Sequence, residues 1–178
     1  MKTKYIVFAS ILGFAHCNAQ SPEQIEAFKE TIQSTWSADS NNDFDGLTCM
    51  DEIVPDLKPY VSARWVALKK NLKNGRIEVL EYVPKEEMER RIEQKHEDSE
   101  SYAQALKTMN QPIARGDQFM IQNLTVVGVM KIKVVGDDDS LTMFNPVGVK
   151  DGKLLFPGVK AMKKGEQAGA SDGESAPN

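Results

Sequence analysis

The sequence predicts an α+β fold in which N-terminal helices pack on a bent antiparallel sheet within a single domain. Three observations carry that reading. The first is apolar spacing of three and four residues through the N-terminal half, as in Ile25, Phe28, Ile32 and Trp36. The second is a change of character after Gln111-Pro112, where Phe119 to Val135 turns rich in β-branched residues with alternating Leu124, Val126, Met130, Ile132 and Val134. The third is length, since 178 residues suit one domain at about 100 to 200 residues each. Helices first and a meander last is the α+β order.

The elements follow in turn. Ser21-Pro22-Glu23-Gln24 has the form of a helix start, with Ser21 as N-cap, Pro22 in the first helical position and Gln24 three residues after the cap. Ser37 to Gly46 is polar, and a short helical segment is expected from Phe44 towards Val54, before Pro55 and Pro59 interrupt it. Val61, Trp65, Leu68 and Leu72 mark a second long helix closed by Asn74-Gly75. Arg76 to Val83 reads as a strand. Pro84 to Met109 reads as one long helix or a helical pair broken at Glu97-Asp98-Ser99-Glu100. In the following strand Gly128 suggests a bulge, and Gly136-Asp137-Asp138-Asp139 a turn. Leu141 to Val149 returns as a strand interrupted near Asn145-Pro146, and Asp151-Gly152 is a hairpin turn before Leu154-Leu155-Phe156. No repeat of about 20 to 50 residues is present, which argues against a solenoid or propeller.

The first 19 residues read as an address. Two lysines precede an apolar run from Tyr5 to Ala15, and Cys17-Asn18-Ala19 ends in a small residue, the three-part form of a secretory signal peptide. Eleven residues make a helix of about 16 Å, short of a bilayer core of about 30 Å, so no transmembrane anchor is expected after cleavage. Cleavage after Ala19 gives an exported chain, periplasmic or secreted. Acylation at Cys17 is the rival, although Phe14 and His16 stand where lipoprotein signals carry leucine and a small residue. Loss of Lys2 and Lys4 from the 22 basic residues leaves 20 against 26 acidic ones, a formal charge of -6 in place of -4. That balance speaks against nucleic acid, whose phosphates call for a basic surface. Cys49 is then the single cysteine, so no intramolecular disulfide forms, and an intermolecular bond or another contact leaves room for a homodimer. The domain is placed at residues 20–160, with a disordered tail over 161–178 that is rich in Gly, Ser, Ala and Glu.

With these elements in place, Ala27-Phe28 through Trp36-Ser37-Ala38-Asp39, then Asp43-Phe44-Asp45-Gly46-Leu47 and Asp51-Glu52-Ile53-Val54, resemble the opening of the nuclear-transport-factor-like, cystatin-like cone superfamily. The hairpin Val149-Lys150-Asp151-Gly152-Lys153-Leu154 is similar to the closing strands of such cones. The resemblance implies a bent sheet wrapped round a helix, leaving a cone-shaped pocket that serves as ligand cavity, dimer surface or enzyme active site. It implies for enzymatic members an Asp or His facing an apolar cavity, as in isomerases and dehydratases. Fold alone does not choose among these.

Asn41, Asp43 and Asp45 with Gly46 and Glu52 reproduce the spacing of a calcium loop, oxygen ligands at positions 1, 3 and 5, Gly at 6 and Glu at 12. Asn41 stands where Asp is usual, and Thr48 where an aliphatic residue is usual. The plainer reading is a helix cap by Asp43 and Asp45. Cys49 and His96 would need to meet to form an activated thiol, and each has an ordinary reading, as a small buried hydrophobe and a solvated side chain. No cofactor is expected beyond that calcium reading. The functional expectation is a non-catalytic domain that binds a small molecule or a protein partner. The alternatives are a cone-pocket enzyme, isomerase-, dehydratase- or hydrolase-like, using an acidic residue, and a calcium-binding protein.

Overall fold

A computed structural model describes residues 20–38, 44–72, 75–115 and 118–162. The signal-peptide reading of 1–19 and the tail from 163 onward lie outside them, as do Asn41 and Asp43. The described chain runs α1 (Pro22–Ser37), two 3₁₀ turns (Phe44–Leu47 and Pro55–Leu57), α2 (Lys58–Asn71) and β1 (Arg76–Pro84). It continues through α3 (Lys85–Glu93), α4 (Ser99–Asn110), β2 (Ile113–Arg115), β3 (Gln118–Gln122), β4 (Val126–Val135), β5 (Ser140–Lys150), β6 (Lys153–Leu155) and β7 (Val159–Ala161). A curled antiparallel sheet of order β1-β4-β5-β6 and a smaller one of order β2-β3-β7 form a single α+β domain.

The main sheet lies between two helical layers, because its strands alternate. Met130, Ile132 and Val134 of β4 face α1 and α2 with Phe28, Ile32, Trp36 and Trp65, while Val129 faces α3 and α4 with Met88 and Tyr102. Two bulges adjust that alternation, one between Val79 and Glu81 and one at Gly128, where the sequence predicts it. The first moves Glu81 and Val83 onto the α3–α4 side while Ile77, Val79 and Tyr82 keep to the other.

Helix α1 starts as its sequence dictates. Gln24 N–H donates to Ser21 Oγ (3.2 Å) and Ser21 N–H to Gln24 Oε1 (3.0 Å), a reciprocal cap. At the other end Lys69 Nζ donates to the carbonyls of Trp36 (2.6 Å) and Ala38 (2.8 Å), so a lysine of α2 caps the neighbouring helix. Asp151 (φ 49°) and Gly152 (φ 73°) make the left-handed turn between β5 and β6.

Three expectations change in detail, and one of two stated alternatives stands. Phe44–Leu47 is a single 3₁₀ turn; beyond it the chain leaves the helix and bridges Phe156 from Thr48, Cys49 N–H donating to Phe156 O at 2.8 Å. Cys49 is buried as expected, in a bridged segment in place of a helix. The 84–109 region is a helical pair, broken over Gln94–Asp98 with Lys95 in the left-handed region (φ 54°). Strand β5 runs unbroken through Pro146, because β6 pairs only with Gly148 to Lys150 and the far side of the preceding stretch has no partner strand among the described residues, where a missing N–H is tolerated. The run from Phe119 to Val135 divides into β3 and β4 at Asn123-Leu124-Thr125, and the short β2 and β7 carry no periodic signal.

Asn123 explains that division. Its N–H donates to Gly158 O (3.0 Å), its Oδ1 accepts from Gly158 N–H (2.6 Å), and its Nδ2 donates to the carbonyls of Cys49 and Asp51. One side chain thereby joins segments 74 and 35 positions away. Asn123→Ala strands one donor and two acceptors, and should lower stability by about 2 to 4 kcal/mol in chemical denaturation. A loss below about 1 kcal/mol would show that these segments are held elsewhere.

Candidate functional site

The sequence-predicted site residues divide. Asn41 and Asp43 lie outside the described residues. Asp45 sits in the Phe44–Leu47 turn, its carbonyl accepting from Thr48 N–H (3.1 Å). Glu52 is exposed, in the left-handed region (φ 61°), and its carboxylate pairs with Lys160 Nζ at 3.3 Å. Beside it Asp51 pairs with Lys150. The acidic residues at 51 and 52 are thus matched to lysines of β5 and β7. Cys49 and His96 do not meet, since Cys49 is tied to Phe156 and Asn123 while His96 is exposed in the α3–α4 turn, its Nδ1 accepting from Asp98 N–H (3.3 Å).

The chemistry-bearing residues of the α3–α4 layer build a brace. Arg91 donates to Glu81 through Nη1 (3.0 Å) and Nη2 (3.2 Å), to Glu87 through Nε (2.8 Å) and to Tyr102 Oη (2.9 Å). Its guanidinium also lies 5.7 Å from the centre of the Tyr102 ring. Lys131 donates to Asp98 at 2.5 Å and stands over Phe144. Burial pushes the Tyr102 phenol up, the Asp98 hydrogen bond raises Lys131, and the hydrogen bonds of Arg90 and then Arg91 hold Glu87 down at about 2. Every one of these groups faces a partner that neutralises it. His96, Glu97 and Asp98 also bring ligand atoms within 4.8 Å of one another, but two of the three are exposed and Asp98 is already bound to Lys131.

A different character appears on the opposite side, between α2 and the meeting edge of the two sheets. The cavity there is about 390 Å³, within the range of small-molecule sites. One wall is α2, where Val61 and Trp65 lie a turn apart and Tyr60 and Arg64 form the adjacent row. The opposite wall is Phe156 to Val159, with Ile53 packed so tightly on Gly158 that a Cβ there would overlap it. Asn145 of β5 and Gln122 of β3 complete the lining. Trp65 is fixed from both sides, stacked on Phe44 (5.7 Å, 15°) and on Phe156 (5.6 Å, 24°). Tyr60 (69% exposed) and Ile113 (47% exposed) belong to the same lining, so two of the large apolar side chains facing solvent gather at this opening.

The polar groups of the cavity set it apart. Asn145 is 8% exposed and its Nδ2 has no hydrogen-bond partner; Gln122 Oε1 is buried and likewise unpaired. Buried polar atoms are nearly always paired, since an orphan costs about 1 to 3 kcal/mol. Both residues contribute to the lining of one cavity, while these two atoms are themselves buried. Among the described lining residues the ionisable ones are Tyr60 and Arg64. Trp65 and Val61 were visible in the sequence as a helical stripe, whereas Asn145, Gln122 and Ile113 come from strands and carried no local signal of a site.

Replacing the orphaned amide tests its cost. Asn145→Leu should raise the stability of the unliganded chain by about 1 kcal/mol in denaturant titration; destabilisation would show the amide is satisfied. The brace makes a prediction in pH. Glu87 lies below its usual 4.5, so its pairing stabilises the fold above that value and is lost as pH falls towards about 2. The melting temperature should drop across that window and drop less in Glu87→Gln; equal slopes would refute the assignment. Comparison with protein-family models, with curated proteins and with solved structures finds no match to this chain.

Proposed function

We propose that this is an exported, non-catalytic domain that binds a small apolar molecule between α2 and the junction of its two sheets. The observation that carries the reading is a largely apolar cavity of about 390 Å³ lined by Ile53, Val61, Trp65, Phe156 and Val159. The walls supply affinity through Ile53, Val61, Trp65 and Phe156. A cone-pocket enzyme would place a carboxylate in this lining, and among the described residues there is none. Export rests on the reading of residues 1–19, and no described helix is long and apolar enough to cross a membrane.

The test is fluorescence titration with N-phenyl-1-naphthylamine, an uncharged apolar probe of suitable size, on protein recovered from outside the cytoplasm. Saturable binding at micromolar levels is expected, weakened about tenfold or more in Val61→Lys, which sets a charge in the cavity wall. Leu141→Lys, on an exposed residue outside the cavity, should leave it unchanged. Failure of the unmodified protein to bind the probe would remove the pocket reading. The intact mass of the same sample reads the start of the chain, Gln20 if export cleaves after Ala19.

A further inference from the structure

We infer that the ligand is an apolar body with a single carboxylate, held at the rim of the cavity by Arg64, an assignment that rests on the pocket reading and narrows it. Arg64 lines two cavities, the one of about 390 Å³ beside Trp65 and a groove of about 510 Å³ where α2 meets Leu141 to Phe144 of β5. Among the described residues it is the one cation in both linings, and no carboxylate belongs to either. The other arginines whose side chains are described all have carboxylate partners. Arg76 pairs with Glu78, Arg90 with Glu87, and Arg91 with Glu81 and Glu87. Arg64 alone among them has none, in a chain whose 26 acidic residues outnumber its 22 basic ones.

The chemistry of the rim selects the head group. A guanidinium offers N–H donors in one plane, in a fork that matches the two oxygens of a carboxylate. Arg64 is exposed, so a head group beside it keeps part of its hydration while the body enters between Val61, Trp65 and Phe156. Apolar surface then leaves water without the desolvation of an ion. A cationic head would meet Arg64 with no carboxylate of the lining to receive it, and a neutral head would gain weaker bonds from the same donors. A doubly charged head, as in a phosphate monoester, would call for a second cation, and neither lining supplies one among the described residues. Tyr60, one turn before Arg64 in the same lining, adds a neutral phenol donor.

The deciding experiment is calorimetric titration of the full chain, near neutral pH and at low salt, with three molecules of one ring system: 1-naphthaleneacetate, 1-naphthaleneacetamide and 2-(1-naphthyl)ethylamine. The acetate should bind at least about fivefold more tightly than the amide, the scale of a well-formed ion pair at a rim, and the amine more weakly than either. In about 1 M sodium chloride, where screening acts within about 3 Å, that margin should fall below about twofold. Arg64→Gln should erase the margin and Arg64→Lys should keep part of it. Lys70→Gln, which removes a charge from α2 outside both linings, should leave it unchanged. Arg64 is exposed and without an ion pair, so its replacement spares the fold, and the ratio of acid to amide is read within each variant. Equal or tighter binding of the amide, or tighter binding of the amine, overturns the carboxylate. A margin that survives Arg64→Gln overturns Arg64 as its holder. Binding of N-phenyl-1-naphthylamine with none of the three overturns the carboxylate while the pocket stands; failure of that probe as well removes both.

Discussion

The stacking of Trp65 between Phe44 and Phe156 is the constraint on which the rest of this structure depends. The three rings come from α2, the 3₁₀ turn and the segment after β6, so one side chain of α2 fixes two parts of the chain that share no backbone ladder with it. Trp36 of α1 meets Phe44 and Trp65 edge-on at 6.3 and 6.4 Å, and Phe28 meets Phe156 at 5.1 Å. Both N-terminal helices are thereby seated on one face of the main sheet. Trp65 also lines the cavity, so the core and the candidate site share a wall, and the position of that wall is set by packing far better buried than the opening itself.

The two faces of the sheet spend their polar residues differently. On the α3–α4 side Arg91 engages Glu81, Glu87 and Tyr102, and Lys131 engages Asp98, so charge meets countercharge at each position. Such partly buried pairs fix the seating of two short helices more than they add net stability. On the α2 side Asn145 Nδ2 and Gln122 Oε1 are buried without a hydrogen-bond partner.

Much of the architecture was legible because it is written locally. The Ser21 cap, the spacing from Ile25 to Trp36 and the Asp151-Gly152 turn each act through residues within a few positions, and each stands in the structure as read. The bulge at Gly128 was likewise visible as a glycine inside a strand. What escaped was set by distant partners. Thr48 to Val54 has helical composition on paper, yet Phe156 and Asn123, more than 70 positions onward, take its backbone groups. Pro146 looked like a break because a proline interrupts a central strand; its place on an unpaired edge is a fact of topology. The cavity escaped for the same reason, as Asn145 and Gln122 lie on strands whose patterns describe a sheet and not what the sheet faces. The calcium spacing from Asn41 to Glu52 falls partly outside the described residues, and its last member pairs with Lys160.

The short segment from Phe156 to Ala161 has a bearing on when this protein can come into being during synthesis. It supplies the outer face of the Trp65 stack, the glycine that receives Asn123 and, in β7, the partner strand of β3. A nascent chain that has extruded everything as far as β6 therefore holds both helices and most of the main sheet, but Thr48 has no bridge, Asn123 grips nothing at Gly158 and the cavity lacks a wall. Closure waits for the last described strand, β7, to become available. A stalled or clipped product ending shortly before Phe156 would keep much of its secondary structure while exposing an aromatic surface, the kind of species that chaperones and proteases recognise.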